Sequence, residues 1–214
     1  MKHLLIGALI AGAWANSAVA ETFDWSGIYG GVSIGARWSE QDYRPPFKWF
    51  DTESSKGSGL TGGGFVGYNF TAGNWVFGPE VSAMFSDTEG RGEKIIINGC
   101  DCFIQKTLRT SATASVNGRV GYAFGNLLPY VTAGYSRSWY KSDADRHGLN
   151  QTEWAASFER NGWNIGAGTD WSLTKHIFAR AEYRYHDLSR GADQYDWKVK
   201  YRQHAATLGI AYKF

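Results

Sequence analysis

Residues 108–124 read LRTSATASVNGRVGYAF, and the stretch alternates from end to end. Its even positions are Leu108, Thr110, Ala112, Ala114, Val116, Gly118, Val120, Tyr122 and Phe124, and its odd positions are Arg109, Ser111, Thr113, Ser115, Asn117, Arg119, Gly121 and Ala123. In an extended strand a period of two places these sets on opposite faces, so one face can meet hydrocarbon while the other is polar and carries two arginines. A strand of a soluble sandwich alternates in the same way, with its apolar face toward a core and its polar face toward water. The stretch admits both architectures, and the layout of its neighbours separates them.

The same pattern predicts strands at 26–38, 59–70, 75–86, 108–123, 128–140, 158–171, 177–187 and 200–213. Each is long enough for the roughly 9–11 residues that a tilted membrane strand needs. The gaps alternate in kind. Thr71-Ala72-Gly73-Asn74, Gly125-Asn126 and Ser172 to His176 are tight and have turn chemistry, whereas 39–58, 87–107, 141–157 and 188–199 are longer and charged. Short turns at one end and long loops at the other, with both termini on the short-turn side, describe an outer-membrane barrel. A sandwich has no reason to sort its connections in this way. The expected fold is therefore all-β: an eight-stranded antiparallel transmembrane barrel with short periplasmic turns and four longer extracellular loops.

The two ends of the chain read consistently with export. Met1-Lys2 is basic, Leu4 to Trp14 is apolar, and Ala18-Val19-Ala20 is a small-residue cleavage site, so residues 1–20 are expected to be a cleaved signal peptide and 21–214 the barrel. At the other end Ala206, Leu208, Ile210, Tyr212 and Phe214 share one face, and Phe214 is terminal. A terminal phenylalanine behind alternating apolar residues resembles the signal read by barrel-assembly machinery, with Tyr212 and Phe214 as its carriers. Mean hydropathy is −0.37, which hydropathy alone would score as soluble, but barrel strands show lipid only every second side chain. Glycine at 27 residues with 10 Trp, 12 Tyr and 12 Phe fits a closed sheet belted by rings. Trp25, Phe70, Trp75, Tyr122, Trp171, Tyr212 and Phe214 are expected at the periplasmic edge, and Trp38, Phe85, Trp139, Trp163, Tyr185 and Tyr201 at the outer edge. A net charge of +2 without a basic stripe gives no footprint for nucleic acid.

An ordered series of blocks carries a family resemblance. WSGIYGG at 25–31 is followed by GGGFVGYN at 62–69, WVFGPE at 75–80, RVGYA at 119–123, LPYVTAG at 128–134, GWNIGAG at 162–168, EYRY at 182–185 and YKF at 212–214. Over the whole mature chain this resembles the porin-like surface antigens of alphaproteobacteria, a branch of the OmpA-like eight-stranded barrels. The pair Cys100 and Cys102 departs from that pattern. The resemblance implies a structural or surface-exposed role in contact with outer-membrane lipids and lipopolysaccharide. It also implies assembly by the barrel machinery, and loops able to meet host or surface ligands. Some members are haemin binders or adhesins; no catalytic centre or cofactor is implied.

The polar face defines the candidate site. Glu80, Asp170 and Glu182 with Arg109, Arg119, Arg180, Arg184 and Lys213 are expected in the lumen as an ionic network. Pairing is required there because a buried lone charge costs several kcal/mol. The same groups could line a proton or solute path, a narrow porin, but an eight-stranded interior is just wide enough for side chains and favours a plug. A symmetric turn at 172–176 would set Gly168 opposite Arg180 and Gly166 opposite Glu182, so that glycines make room for long side chains. Asp170 with Glu182 could serve acid–base work, and Glu182, His186 and Ser189 could form a Ser-His-acid set. No cleft or fixed geometry accompanies either, so no enzyme is expected. Cys100 and Cys102, in the second outer loop of an exported chain, are a candidate disulfide, strained by its C-x-C spacing. Two thiolates and Asp101 are too few for a metal site.

Overall fold

The computed structural model describes residues 23–44, 53–91, 95–97, 102–147, 154–190 and 198–214. The proposed signal peptide and Cys100 lie outside these residues. Among the described residues there are nine strands: β1 (Gly27–Arg44), β2 (Glu53–Ala72), β3 (Trp75–Arg91), β4 (Ile95–Ile97), β5 (Cys102–Tyr122), β6 (Leu127–His147), β7 (Trp154–Ser172), β8 (Ile177–Arg190) and β9 (Lys198–Lys213). Eight of them are the staves of a closed antiparallel barrel. The sheet closes through β1 on β9, from Tyr29↔Lys213 to Arg44↔Lys198, and β3 lies beside β5. The three residues of β4 pair only with the start of β5, as a small addition at the loop end.

The alternation explains which way each stave faces. Val116, Val120, Val131, Ile165, Leu208 and Ile210 point outward and are exposed, while Thr113, Ser115, Asn117 and Arg119 on the same β5 stave are buried inside. Apolar outside and polar inside inverts a soluble core and matches a barrel whose solvent is lipid. At the short-turn end Ala72 pairs with Trp75 around Gly73, which takes φ 59°, and Phe124 bridges Leu127 around Gly125 at φ 60°. Glycine suits both positions because a Cβ penalises left-handed backbone.

Four readings of the sequence change. The staves run further toward the loops than the alternation predicts: β1 reaches Arg44, β2 begins at Glu53, and β5 and β6 pair from Gly121↔Tyr130 out to Phe103↔His147. Alternation marks only the lipid-facing stretch; beyond it water meets the outer face and a backbone ladder can continue without the apolar alternation. The β7–β8 register is also shifted by two. Gly166 pairs with Arg184, Gly168 with Glu182 and Asp170 with Arg180. The cause lies in the turn, where Thr174 Oγ1 accepts from the N–H of His176 and of Ile177, and the N–H groups of Leu173 and Thr174 both donate to the Ile177 carbonyl. A shift of two keeps every side chain on its face. Trp25 and Tyr201 do not join the outer belts, since both are buried. Trp25 precedes β1 and folds across the short-turn mouth, while Tyr201 occupies an inward position of β9.

Two apolar clusters bracket the lumen. Trp25, Tyr29, Phe65, Val76, Leu128, Phe178 and Ala211 pack together at the short-turn end. Trp25 Nε1 donates to the Gly125 carbonyl at 3.1 Å and the Asn69 amide donates to the Trp25 carbonyl at 2.9 Å, which fixes this N-terminal cap. Toward the loops Tyr140, Leu188 and Tyr201 pack with Phe158.

Candidate functional site: a charged layer across the lumen

Between the clusters lies a layer of charge. β3 contributes Glu80, β5 Arg119, β7 Asp170, and β8 Arg180, Glu182 and Arg184, all on inward positions of their staves. Arg180 Nη1 donates to Glu80 Oε2 at 2.6 Å, and its Nε donates to Asp170 Oδ1 at 2.8 Å. Arg119 Nη2 donates to Asp170 Oδ2 at 2.7 Å, and its Nη1 stands 3.7 Å from Glu80 Oε2. Arg184 Nη2 reaches Glu182 Oε1 at 2.7 Å and Glu80 Oε1 at 3.4 Å. Three guanidinium groups thus meet three carboxylates in one connected set. Because β3 and β8 are four staves apart either way around the closed sheet, the Glu80–Arg180 pair is a strut across the full lumen.

Two tyrosines bind this layer together. Tyr29 donates to Glu80 Oε2 at 2.9 Å and accepts from Arg119 Nη1 at 3.1 Å; Tyr130 donates to Glu182 Oε2 at 2.8 Å. The Arg119 guanidinium sits 3.9 Å from the Tyr130 ring centroid and that of Arg180 4.1 Å from the Phe65 ring, close enough for cation–π attraction. The glycines serve these rings. A Cβ on Gly168 would stand 2.6 Å from the Tyr130 hydroxyl, and one on Gly67 would collide with the Tyr29 hydroxyl and ring. Gly166 faces the neighbouring stave instead, where a Cβ would approach the Tyr183 carbonyl to 2.7 Å.

Among the described residues, others singled out from the sequence lie outside this layer. Lys213 is inward-facing but at the short-turn mouth, and its ammonium pairs with Asp24 at 2.9 Å rather than with the network. Its position as the last residue of β9 places it beyond the charged layer. The Asp24 carboxyl, hydrogen-bonded by Ser26 and by Lys213, is lowered from the ordinary aspartate range to about 2. The Arg109 side chain lies outside the described residues; its backbone pairs with Glu89 and Lys141, beyond a register break between Thr110 and Ala112. The Cys102 side chain is likewise outside them. His186 is buried with Nδ1 3.0 Å from Ser136 Oγ, while Ser189 is exposed, so the Glu182, His186 and Ser189 set is not assembled. Asp170 and Glu182 are each held by arginine. Phe214 is 75 % exposed on the outer face, its ring 5.2 Å from that of Tyr212 and its N–H donating to Ile28 O at 3.0 Å.

Sequence reasoning missed Tyr29, Tyr130, Arg37 and Gln203. Arg37 is 1 % exposed and donates through Nη1 to Thr113 Oγ1 at 2.7 Å and Gln203 Oε1 at 3.3 Å; Gln203 in turn donates to the Tyr140 hydroxyl at 2.7 Å. The signal was available: Arg37 shares the odd face of β1 with Tyr29 and Ser33.

Comparison with known proteins places this geometry. Residues 4–214 match the family described as outer membrane protein beta-barrel domain. A 25 kDa outer-membrane immunogenic protein of Brucella ovis is 30% identical over 196 residues, covering 92% of this chain and 81% of the relative. A 31 kDa outer-membrane immunogenic protein of Brucella melitensis is 27% identical over 247 residues, with 100% of both chains covered. Among solved structures, the outer membrane protein OprG from Pseudomonas aeruginosa aligns with a TM-score of 0.52 at 14% identity, over 88% of this chain and 96% of that one. That likeness speaks to the fold.

Proposed function

Because the chain belongs to the outer membrane protein beta-barrel domain family and resides in the outer membrane, we propose that it is a non-enzymatic structural barrel that contributes to envelope integrity and displays its loops at the cell surface. The observation that carries this reading is the balanced layer of three arginines and three carboxylates strung between opposite staves. Such a layer fills the lumen where a pore would need water. The relatives' description as immunogenic supports surface display. The exposed apolar belt with Trp75, Trp139, Trp163 and Trp171 on it suits contact with lipid and lipopolysaccharide. Phe214, exposed at the end of the β9 outer face, suits an address for the assembly machinery.

A strain lacking the protein should become more sensitive to detergent, and unchanged sensitivity would remove the envelope role. Haemin added to the purified barrel should leave the Soret band unshifted; a saturable shift would make it a haemin receptor instead. Deleting Phe214 should leave unfolded chain in the periplasm while refolding into detergent in vitro suffers less. Unaffected cellular assembly would rule out the terminal address.

A further inference from the structure

Directly loopward of the charged layer is a cavity of about 30 Å³, lined among others by Arg37, Ser82, Thr113, Ser115, Arg184 and His186. Its volume admits one or two water-sized species. Glu80, Glu182 and Arg180 also line it, but their charges are matched: Glu80 accepts from Arg180 and Arg184, Glu182 from Arg184, and Arg180 also meets Asp170. Arg37 is different. It is 1 % exposed, its hydrogen bonds go to the neutral Thr113 and Gln203, and among the described residues no carboxylate lies within ion-pair distance of it. Its Nε has no partner, and neither does Nε of Arg184.

An arginine does not shed its proton at physiological pH, so Arg37 cannot relieve its burial by becoming neutral. An unmatched buried charge is costly and calls for a counter-charge. The cavity beside it has hydroxyl donors in Ser82, Thr113 and Ser115, and is too small for a phosphate or a carboxylate-bearing metabolite. We propose that this cavity is a binding site for a small monovalent anion of the halide class, with Arg37 as its principal holder. The ion would neutralise a buried guanidinium that the carboxylates of the charged layer do not reach, and would be trapped as the barrel closes.

The test is to unfold the full mature protein in urea and refold it into detergent in sodium chloride or in sodium gluconate of equal concentration. Gluconate is too large to enter. The wild-type thermal midpoint should be a few degrees higher in chloride, and Arg37→Met should erase the difference while controlling for general salt effects. Equal wild-type midpoints in the two salts would overturn the proposal, as would a chloride effect of the same size in Arg37→Met. Should Arg37→Met fail to fold, wild-type crystals grown in bromide decide. An anomalous peak against the Arg37 guanidinium supports the site, and bromide confined to the surface, or absent, overturns it.

Discussion

The two halves of the lumen use arginine in opposite ways. Nearer the short turns Arg119, Arg180 and Arg184 each meet carboxylates, and the ion pairs tie β3, β5, β7 and β8 together across the barrel. Loopward, Arg37 rests on neutral dipoles beside a ladder of hydroxyls, with Thr113 Oγ1 2.8 Å from Ser138 Oγ and Ser115 Oγ 2.9 Å from Ser136 Oγ. A guanidinium with partners becomes a strut. One without leaves charge for neighbouring dipoles, and whatever enters the cavity, to meet. The difference shows that burial alone does not define a plug: connectivity between staves does.

Breaking the strutted half should have the largest effect. Glu80→Ala removes the acceptor shared by Arg180, Arg184 and Tyr29 and leaves guanidinium charge uncompensated, a loss of about 3–5 kcal/mol in urea unfolding. Next come the glycines that house the tyrosines. Gly67→Leu, which displaces the Tyr29 ring, and Gly166→Leu, which presses on the β8 backbone, should each cost roughly 1–3 kcal/mol as overpacked interior positions. Ala167→Leu faces outward, so its unfolding midpoint should stay near the parent's. In the loopward half Arg37→Met should act with the opposite sign. In gluconate it removes an unmatched charge, and it should be at least as stable as wild type by the same assay. The smallest effect belongs to the mouth. The lowered Asp24 pKa means that its tie to Lys213 contributes fully above the ordinary carboxyl pKa of about 3.9 and is lost as pH falls through about 2. Asp24→Asn should therefore speed hydrogen exchange at the Trp25 indole at neutral pH, and that excess over wild type should shrink toward pH 2.

Much of this molecule was legible in the sequence, and what was not has identifiable causes. Period-two alternation and the sorting of short from long gaps were enough for eight staves, because lipid outside and a polar lumen impose opposite demands on successive residues. The same parity put Glu80, Asp170, Arg119, Arg180, Glu182 and Arg184 on inward positions. Parity could not say which of them touch. That depended on the Thr174 turn, whose side-chain hydrogen bonds slid β8 by two and set Asp170 directly opposite Arg180. Nor does parity apply before a strand begins, which is why Trp25 read as a belt residue when it caps the mouth. It also does not carry across a register break such as the one between Thr110 and Ala112, and the Arg109 side chain beyond it lies outside the described residues. Gly168 was correctly read as space, but the occupant of that space is the Tyr130 ring rather than a charge.

The central claim is that the charged layer seals the lumen, and planar-bilayer conductance of the refolded wild-type protein tests it most directly. The account predicts a silent membrane at all protein concentrations that insert. Steady, reproducible unit steps that scale with salt would contradict it and make the barrel a narrow pore.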